Sequence, residues 1–183
     1  MKPIANLFFE VRILKDLVRS GYAFLGTGKE SVAEHCFITA FICFAMAKMD
    51  PALDLVKLVT MALVHDLAEA RTGDLNYVEK QYSTPDESLA LSRLVNGLSF
   101  GPDIQSLIKE FNSGETAEAM LANDADQISF ILELKKIADT GAKGPEKWLP
   151  VVLNRLKTDI GRQIAANIME TGWDEWWMNG YYE

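Results

Sequence analysis

A chain of 183 residues that is 49% hydrophobic and 24% charged, with mean hydropathy near zero, has the composition of one soluble globular domain with its own core. Its formal net charge of -8 and pI near 4.8 repel nucleic-acid backbones, and no uninterrupted apolar run approaches the ~20 residues of a membrane span. The opening MKPIANLFFEVRILKDLVRS mixes charges throughout, unlike a signal peptide, so the expected setting is cytoplasmic, with neither nucleic acid nor membrane as a partner.

Apolar spacing is helical along nearly the whole chain, and an all-α helical bundle of about seven helices is expected. Residues 4–19 read as an amphipathic helix stopped by Ser20 and Gly21. Ser31 to Glu34 has the capping-box pattern and opens a second helix running to about Met49. Asp50 and Pro51 then serve as cap and first residue of a third, which runs to Arg71 or Thr72 before Gly73. Thr84, Pro85 and Glu87 open a fourth that ends near Leu98, and Pro102 starts a fifth. A long, largely apolar sixth spans Glu115 to Asp139, and Glu146 to Thr171 forms a seventh.

An aromatic tail, WDEWWMNGYY, follows; it carries no basic residue, so packing against the body or a second subunit is expected of it, not stacking on bases. No repeat or linker divides the chain, which reads as one domain over 1–183. Cys36 and Cys43, seven apart in an apolar helix, read as small core hydrophobes in a reduced compartment.

Against this background "LVHDLAEARTGD", residues 63–74, is anomalous: it sets His65 and Asp66 side by side among leucines, valines and alanines. Burying such groups without partners costs several kcal/mol, roughly 2–7 for a polar group and more for a charge. Imidazole and carboxylate are ligands that a borderline divalent metal prefers, and coordination would answer that cost. The only other histidine, His35, can join them if the second and third helices pack antiparallel. A further carboxylate can come from LANDADQISFIL, where Asp124 and Asp126 both interrupt the apolar surface; helical angles do not choose between them. Glu69 projects one turn beyond the pair, suited to a base acting on water beside a metal, and Asp74 falls on the loop at the rim.

The order His35, His65-Asp66, Asp126 resembles the signature of the HD-domain metal-dependent phosphohydrolases. "HDLAEARTGDL" is similar to the branch that acts as 5′-nucleotidases on deoxyribonucleoside monophosphates, and "ESVAEH" and "AEAMLANDADQ" fit it too, over a motif core of about residues 7–140. The resemblance implies that His35, His65, Asp66 and Asp126 are metal ligands, with Asp126 favoured because the last ligand follows a small residue. It implies that Glu69 positions or deprotonates the attacking water, and that Asp74 contacts the sugar. Arg19 and Tyr22, in "VRSGYAF", match a basic-aromatic pair that grips phosphate, with tyrosine where the branch usually has tryptophan.

Two imidazoles and two carboxylates around one dication would leave no net charge, so the metal could act as Lewis acid and activate water. The implied cofactor is one divalent transition metal ion (Mn, Co, Zn, Fe or Ni), with Mg possible. The implied activity is release of phosphate from (deoxy)nucleoside 5′-monophosphates by a homodimer. Hydrolysis of guanosine alarmone pyrophosphates is the nearest alternative, though Ala70 stands where such enzymes place an acid. A non-catalytic nucleotide-binding regulatory domain is the alternative from another class.

Overall fold

The computed structural model describes residues 1–181, so Tyr182 and Glu183, the end of the aromatic tail, lie outside the described residues. Helices account for the architecture: α1 (Lys2–Ile13), α2 (Tyr22–Leu25), α3 (Val32–Met49), α4 (Leu55–Val64), α5 (Glu69–Thr72), α6 (Glu87–Leu94), α7 (Gly101–Ser113), α8 (Ala117–Asp139), α9 (Pro145–Leu153), α10 (Asp159–Glu170) and α11 (Glu175–Met178). No strand occurs among the described residues. The all-α expectation holds, with the longer predicted helices subdivided.

The centre is α3, α4 and α8, each in contact with the other two, and α8 also meets α7, α9 and α10. That encirclement explains the apolar character of α8, whose Ala119, Ala122, Ala125, Ile128, Ile131 and Leu134 are all buried. Met46, Leu58 and Met61 complete this core, and a second cluster under α1 and α6 joins Leu7, Leu14, Leu91 and Leu94 to Val32 and Cys36. Fully burying side chains of this kind is worth about 1.5–3 kcal/mol each.

Helix α3, 18 residues at hydropathy 1.5, is long and apolar enough to cross a membrane by length and composition. In this fold it is the core helix, with Val32, His35, Cys43 and Met46 at 0% exposure. Both cysteines are free and buried, as their spacing predicts.

Local chemistry sets most helix starts. Ser31 accepts from the Glu34 amide at 3.2 Å and Glu34 accepts from the Ser31 amide at 2.7 Å, so the predicted capping box forms. Thr116 caps α8, and Asp86, not Thr84, caps α6. Asp54, not Asp50, caps α4, because residues 51–54 form a turn before the helix begins.

Three predicted helices break: the first and seventh where bonds from elsewhere in the chain capture their backbones, the third where the ladder tightens. The first ends at Ile13, since the following segment pairs with the approach to α3: the Arg19 amide donates to Glu30 O and the Val32 amide to Leu17 O, both at 2.9 Å. The third stops at Val64, and His65 to Ala68 continue in tight turns with i→i+3 bonds such as Leu67 N to Val64 O at 3.0 Å. The seventh divides into α9 and α10. Pro150 inside α9 has no amide to continue the ladder, and a buried carboxylate organises the turn after it.

That carboxylate is Asp124, 1% exposed, which accepts from Lys157 N and Thr158 N at 2.8 Å each and from Thr158 Oγ1 at 2.6 Å. Thr158 in turn caps α10. A Cβ at Gly161 would run into the Asp124 carboxylate. We expect Asp124→Ala to lose about 2–4 kcal/mol of stability in denaturant melts, the scale of buried charge-assisted bonds plus a helix cap. Gly161→Ala should destabilise through the same contact, and wild-type stability in both variants would refute this account.

Candidate metal centre and active site

Four elements converge on one point. Helix α3 supplies His35, the turns after α4 supply His65 and Asp66, α5 begins with Glu69, and α8 supplies Asp126. His35 Nε2 lies 2.9 Å from Asp126 Oδ1 and 3.8 Å from Asp66 Oδ2, and the two imidazole centroids are 5.4 Å apart. Their backs are tied off: His35 Nδ1 faces Ser129 Oγ at 3.2 Å, and His65 Nδ1 faces Ala62 O at 2.7 Å. Such bonds fix ring orientation and leave both Nε2 atoms aimed inward, the usual arrangement of metal-binding histidines.

The structure offers a direct test of whether these groups suit a cation. His65 Nε2 is buried with no well-formed hydrogen bond, and the nearest acceptor is Asp66 Oδ2 at 3.1 Å. His35, His65 and Asp126 bring ligand atoms within 4.8 Å of one another. A nitrogen and oxygen donor set with an orphaned buried nitrogen fits a divalent transition metal.

Cys36, His65 and Asp66 form a second such group. Burial, then nearby Asp66, pushes the Cys36 thiol well above its ordinary range.

The charges point the same way. Burial works against the charge of His65, yet Asp66 and then Asp126 outweigh it and push the imidazole up to about 9. Burial likewise opposes ionisation of Asp126, but the bond from His35 and the neighbouring imidazoles hold it well below the carboxylate range. His35, with burial dominant, is shifted down towards neutrality. The pocket thus asks for positive charge between its carboxylates.

Glu69 sits three residues after Asp66 in an overwound turn, which stacks the two side chains more closely than an α-helix would. Burial, then Asp66 and Asp74, pushes it up to about 9, and its Oε2 is buried without a partner. A dication beside Asp66 would reverse part of that shift.

Arg19 reaches the same place from the segment before α2. Its Nη1 is buried and unpartnered, its Nε is 3.9 Å from Glu30, and its guanidinium lies 6.0 Å from the Phe130 ring centroid. Asp74 Oδ2 accepts from Ser20 N at 2.7 Å and Ser20 Oγ at 3.1 Å, so the loop after α5 is laced to the residue beside Arg19.

Tyr22 is 6% exposed, and its hydroxyl points to Glu30 at 3.4 Å and Glu133 at 3.5 Å. It therefore borders the Arg19 cleft with its hydroxyl engaged behind it. Asp124, the alternative to Asp126, is committed to α10 and lies outside the cluster.

Several residues at the site escaped sequence reasoning. Ser129 and Thr39 face His35, the latter at 3.5 Å, and Gln127 Nε2 donates to Asp126 Oδ2 at 2.8 Å. Isolated hydroxyls in FITAF and ISFIL were the available signal for the first two. Nothing in the sequence marked Gln127.

Two clefts flank the cluster. One of about 860 Å³ is lined by His65, Glu69, Lys80 and Lys109, and one of about 320 Å³ by Arg19, Asp74, Asp126, Phe130 and Trp148.

Comparison with known proteins places this arrangement. The HD domain family matches residues 11–168. A 5′-deoxynucleotidase HDDC2 from Dictyostelium discoideum is 32% identical over 132 residues, covering 66% of this chain and 70% of that protein. A 5′-deoxynucleotidase hdd1 from Schizosaccharomyces pombe is 29% identical over 131 residues, and the match spans 65% of its length. A conserved hypothetical protein from Pyrococcus furiosus superposes with a TM-score of 0.78 at 26% identity, covering 91% of this chain and 99% of that one. With a helical fold that gathers paired histidines and aspartates at one point, the chain belongs to the HD-domain family of metal-dependent phosphohydrolases.

Proposed function

We propose that this enzyme releases phosphate from the 5′ position of nucleoside or deoxynucleoside monophosphates. The observation that carries the reading is the buried, unpartnered Nη1 of Arg19, a fixed cation with a free donor beside the His-Asp cluster and Glu69. The names of the Dictyostelium and fission-yeast relatives support the same substrate class.

His35, His65, Asp66 and Asp126 would hold one divalent cation, which when bound supplies Lewis-acid charge to a phosphate oxygen and makes water more acidic. Arg19 binds and neutralises a second phosphate oxygen through its free donor. Asp74 spends Oδ2 on Ser20 and offers Oδ1 to a sugar hydroxyl. Glu69 orients the attacking water and takes its proton as the water oxygen bonds to phosphorus and the bond from phosphorus to the sugar's 5′ oxygen breaks; that oxygen takes a proton from solvent and leaves as the nucleoside hydroxyl. The products are a nucleoside and inorganic phosphate, and catalysis rests on positioning and charge. A homodimer in a cytoplasmic setting belongs to this reading; Phe37 and Phe41, 65% and 63% exposed on α3, are apolar surface of the kind that association covers.

Elemental analysis of the purified protein should find near-stoichiometric divalent metal. His65→Ala should lose it, and chelation should abolish phosphate release until metal is restored. Glu69→Gln should retain the metal and bind nucleotide while turnover falls roughly 10²–10⁴-fold; a wild-type rate would remove Glu69 from the role of base. Arg19→Ala should keep the metal and lower kcat/KM by about 10- to 100-fold, the scale of one charge-assisted bond. Unaltered kinetics would return Arg19 to a structural partner of Glu30.

A further inference from the structure

Displacement at phosphorus is in line, with the attacking and leaving oxygens on opposite sides. That requirement assigns separate duties to the two clefts beside the cluster. Glu69 lines the larger one, so water directed by Glu69 approaches phosphorus from there. The smaller cleft adjoins it, sharing Leu75 and Lys80, and holds Arg19, Asp74 and Asp126, so a sugar bonded to a phosphate held by Arg19 lies on that side.

The linings differ in a way that identifies what each can hold. The larger cleft has no phenylalanine, tyrosine or tryptophan in its wall. The smaller has Tyr22, Phe24, Tyr77, Phe130 and Trp148. Tyr77 is 78% exposed and Phe24 50% exposed, a placement that folding does not reward. Trp148 is half-buried and braced edge-to-face against Phe130, with centroids 5.8 Å apart at 85°. Phe130 also lies under the Arg19 guanidinium. A line of rings therefore leads from the phosphate-binding cation out along the cleft.

We propose that Trp148, with Tyr77 on the loop after α5, stacks the nucleobase, so that the smaller cleft is the nucleoside site and the larger one admits water. This rests on the nucleotidase reading and adds the place and mode of base recognition. Stacking uses the π-face that every base has, so tolerance of different bases follows. Trp148 would touch the base and not the phosphate, and the phosphate would be held the same way whether or not a base is attached.

The test compares two ligands on metal-loaded Glu69→Gln protein by calorimetry: 2′-deoxyadenosine 5′-monophosphate and 2-deoxyribose 5-phosphate. The nucleotide should bind roughly 5- to 150-fold tighter, the range of one base on an aromatic ring. Adding Trp148→Ala should erase most of that ratio without weakening the sugar phosphate, and Trp148→Phe should restore it. An unchanged ratio in Trp148→Ala, equal losses for both ligands, or no preference in the parent protein would each overturn the proposal. Failure of the nucleotidase reading appears separately, as absence of phosphate release from either ester by the wild-type protein, and leaves the binding comparison intact.

Discussion

Two buried imidazoles and two partly exposed carboxylates that meet at one point must find charge for one another, and this requirement organises the structure. His35 is wholly buried and its Nε2 meets the partly exposed Asp126 carboxylate at 2.9 Å, so α3 and α8 are joined by a polar contact at the edge of an apolar core. Removing either partner leaves a polar atom of the other unpaired, at a cost of about 1–3 kcal/mol. The helices are thereby fixed in register as well as packed. The tight turns after α4 follow from the same demand, since they deliver His65 and Asp66 to the pair that α3 and α8 have already formed.

An enzyme with net charge -8 that handles a phosphate dianion must create a local field against its own surface. The means here is burial of one guanidinium. Burial is the largest influence on Arg19 and opposes its charge, while Asp126, Asp66, Glu30 and Asp74 sustain it. Glu30 bears part of the cost: burial pushes its carboxyl up to about 7 despite the pull of Arg19.

Helix existence was legible in this sequence wherever period and cap agreed. The capping box at Ser31 and Glu34 appears as read, and the run from Glu115 to Asp139 is a helix from Ala117 onwards. Two of the helix breaks were not legible because they depend on a partner elsewhere in the chain: Glu30 for Arg19, Asp124 for Lys157 and Thr158. The adjacent His65 and Asp66 announced the centre, since no ordinary core places such a pair among leucines. The choice between Asp124 and Asp126 could not come from helical angles, because α8 is surrounded and both directions lead inward. Only the fold shows one carboxylate facing His35 and the other facing the amides that open α10. Tyr22 illustrates the converse: beside Arg19 in sequence it reads as part of a phosphate grip, whereas its hydroxyl is turned to Glu30 and Glu133.

The two aspartates of the NDAD segment thus face separate structures: one the histidine cluster, the other the last third of the chain. A shorter protein ending near residue 144 would keep every motif that marks the family by eye. It would also strip three donors from the Asp124 carboxylate and bare the flank of α8 that α9 and α10 cover. The strain of an unanswered charge would then fall on the turn of helix that presents Asp126. The family match runs on to residue 168, past the last of these motifs, and so takes in the segment that holds Asp124.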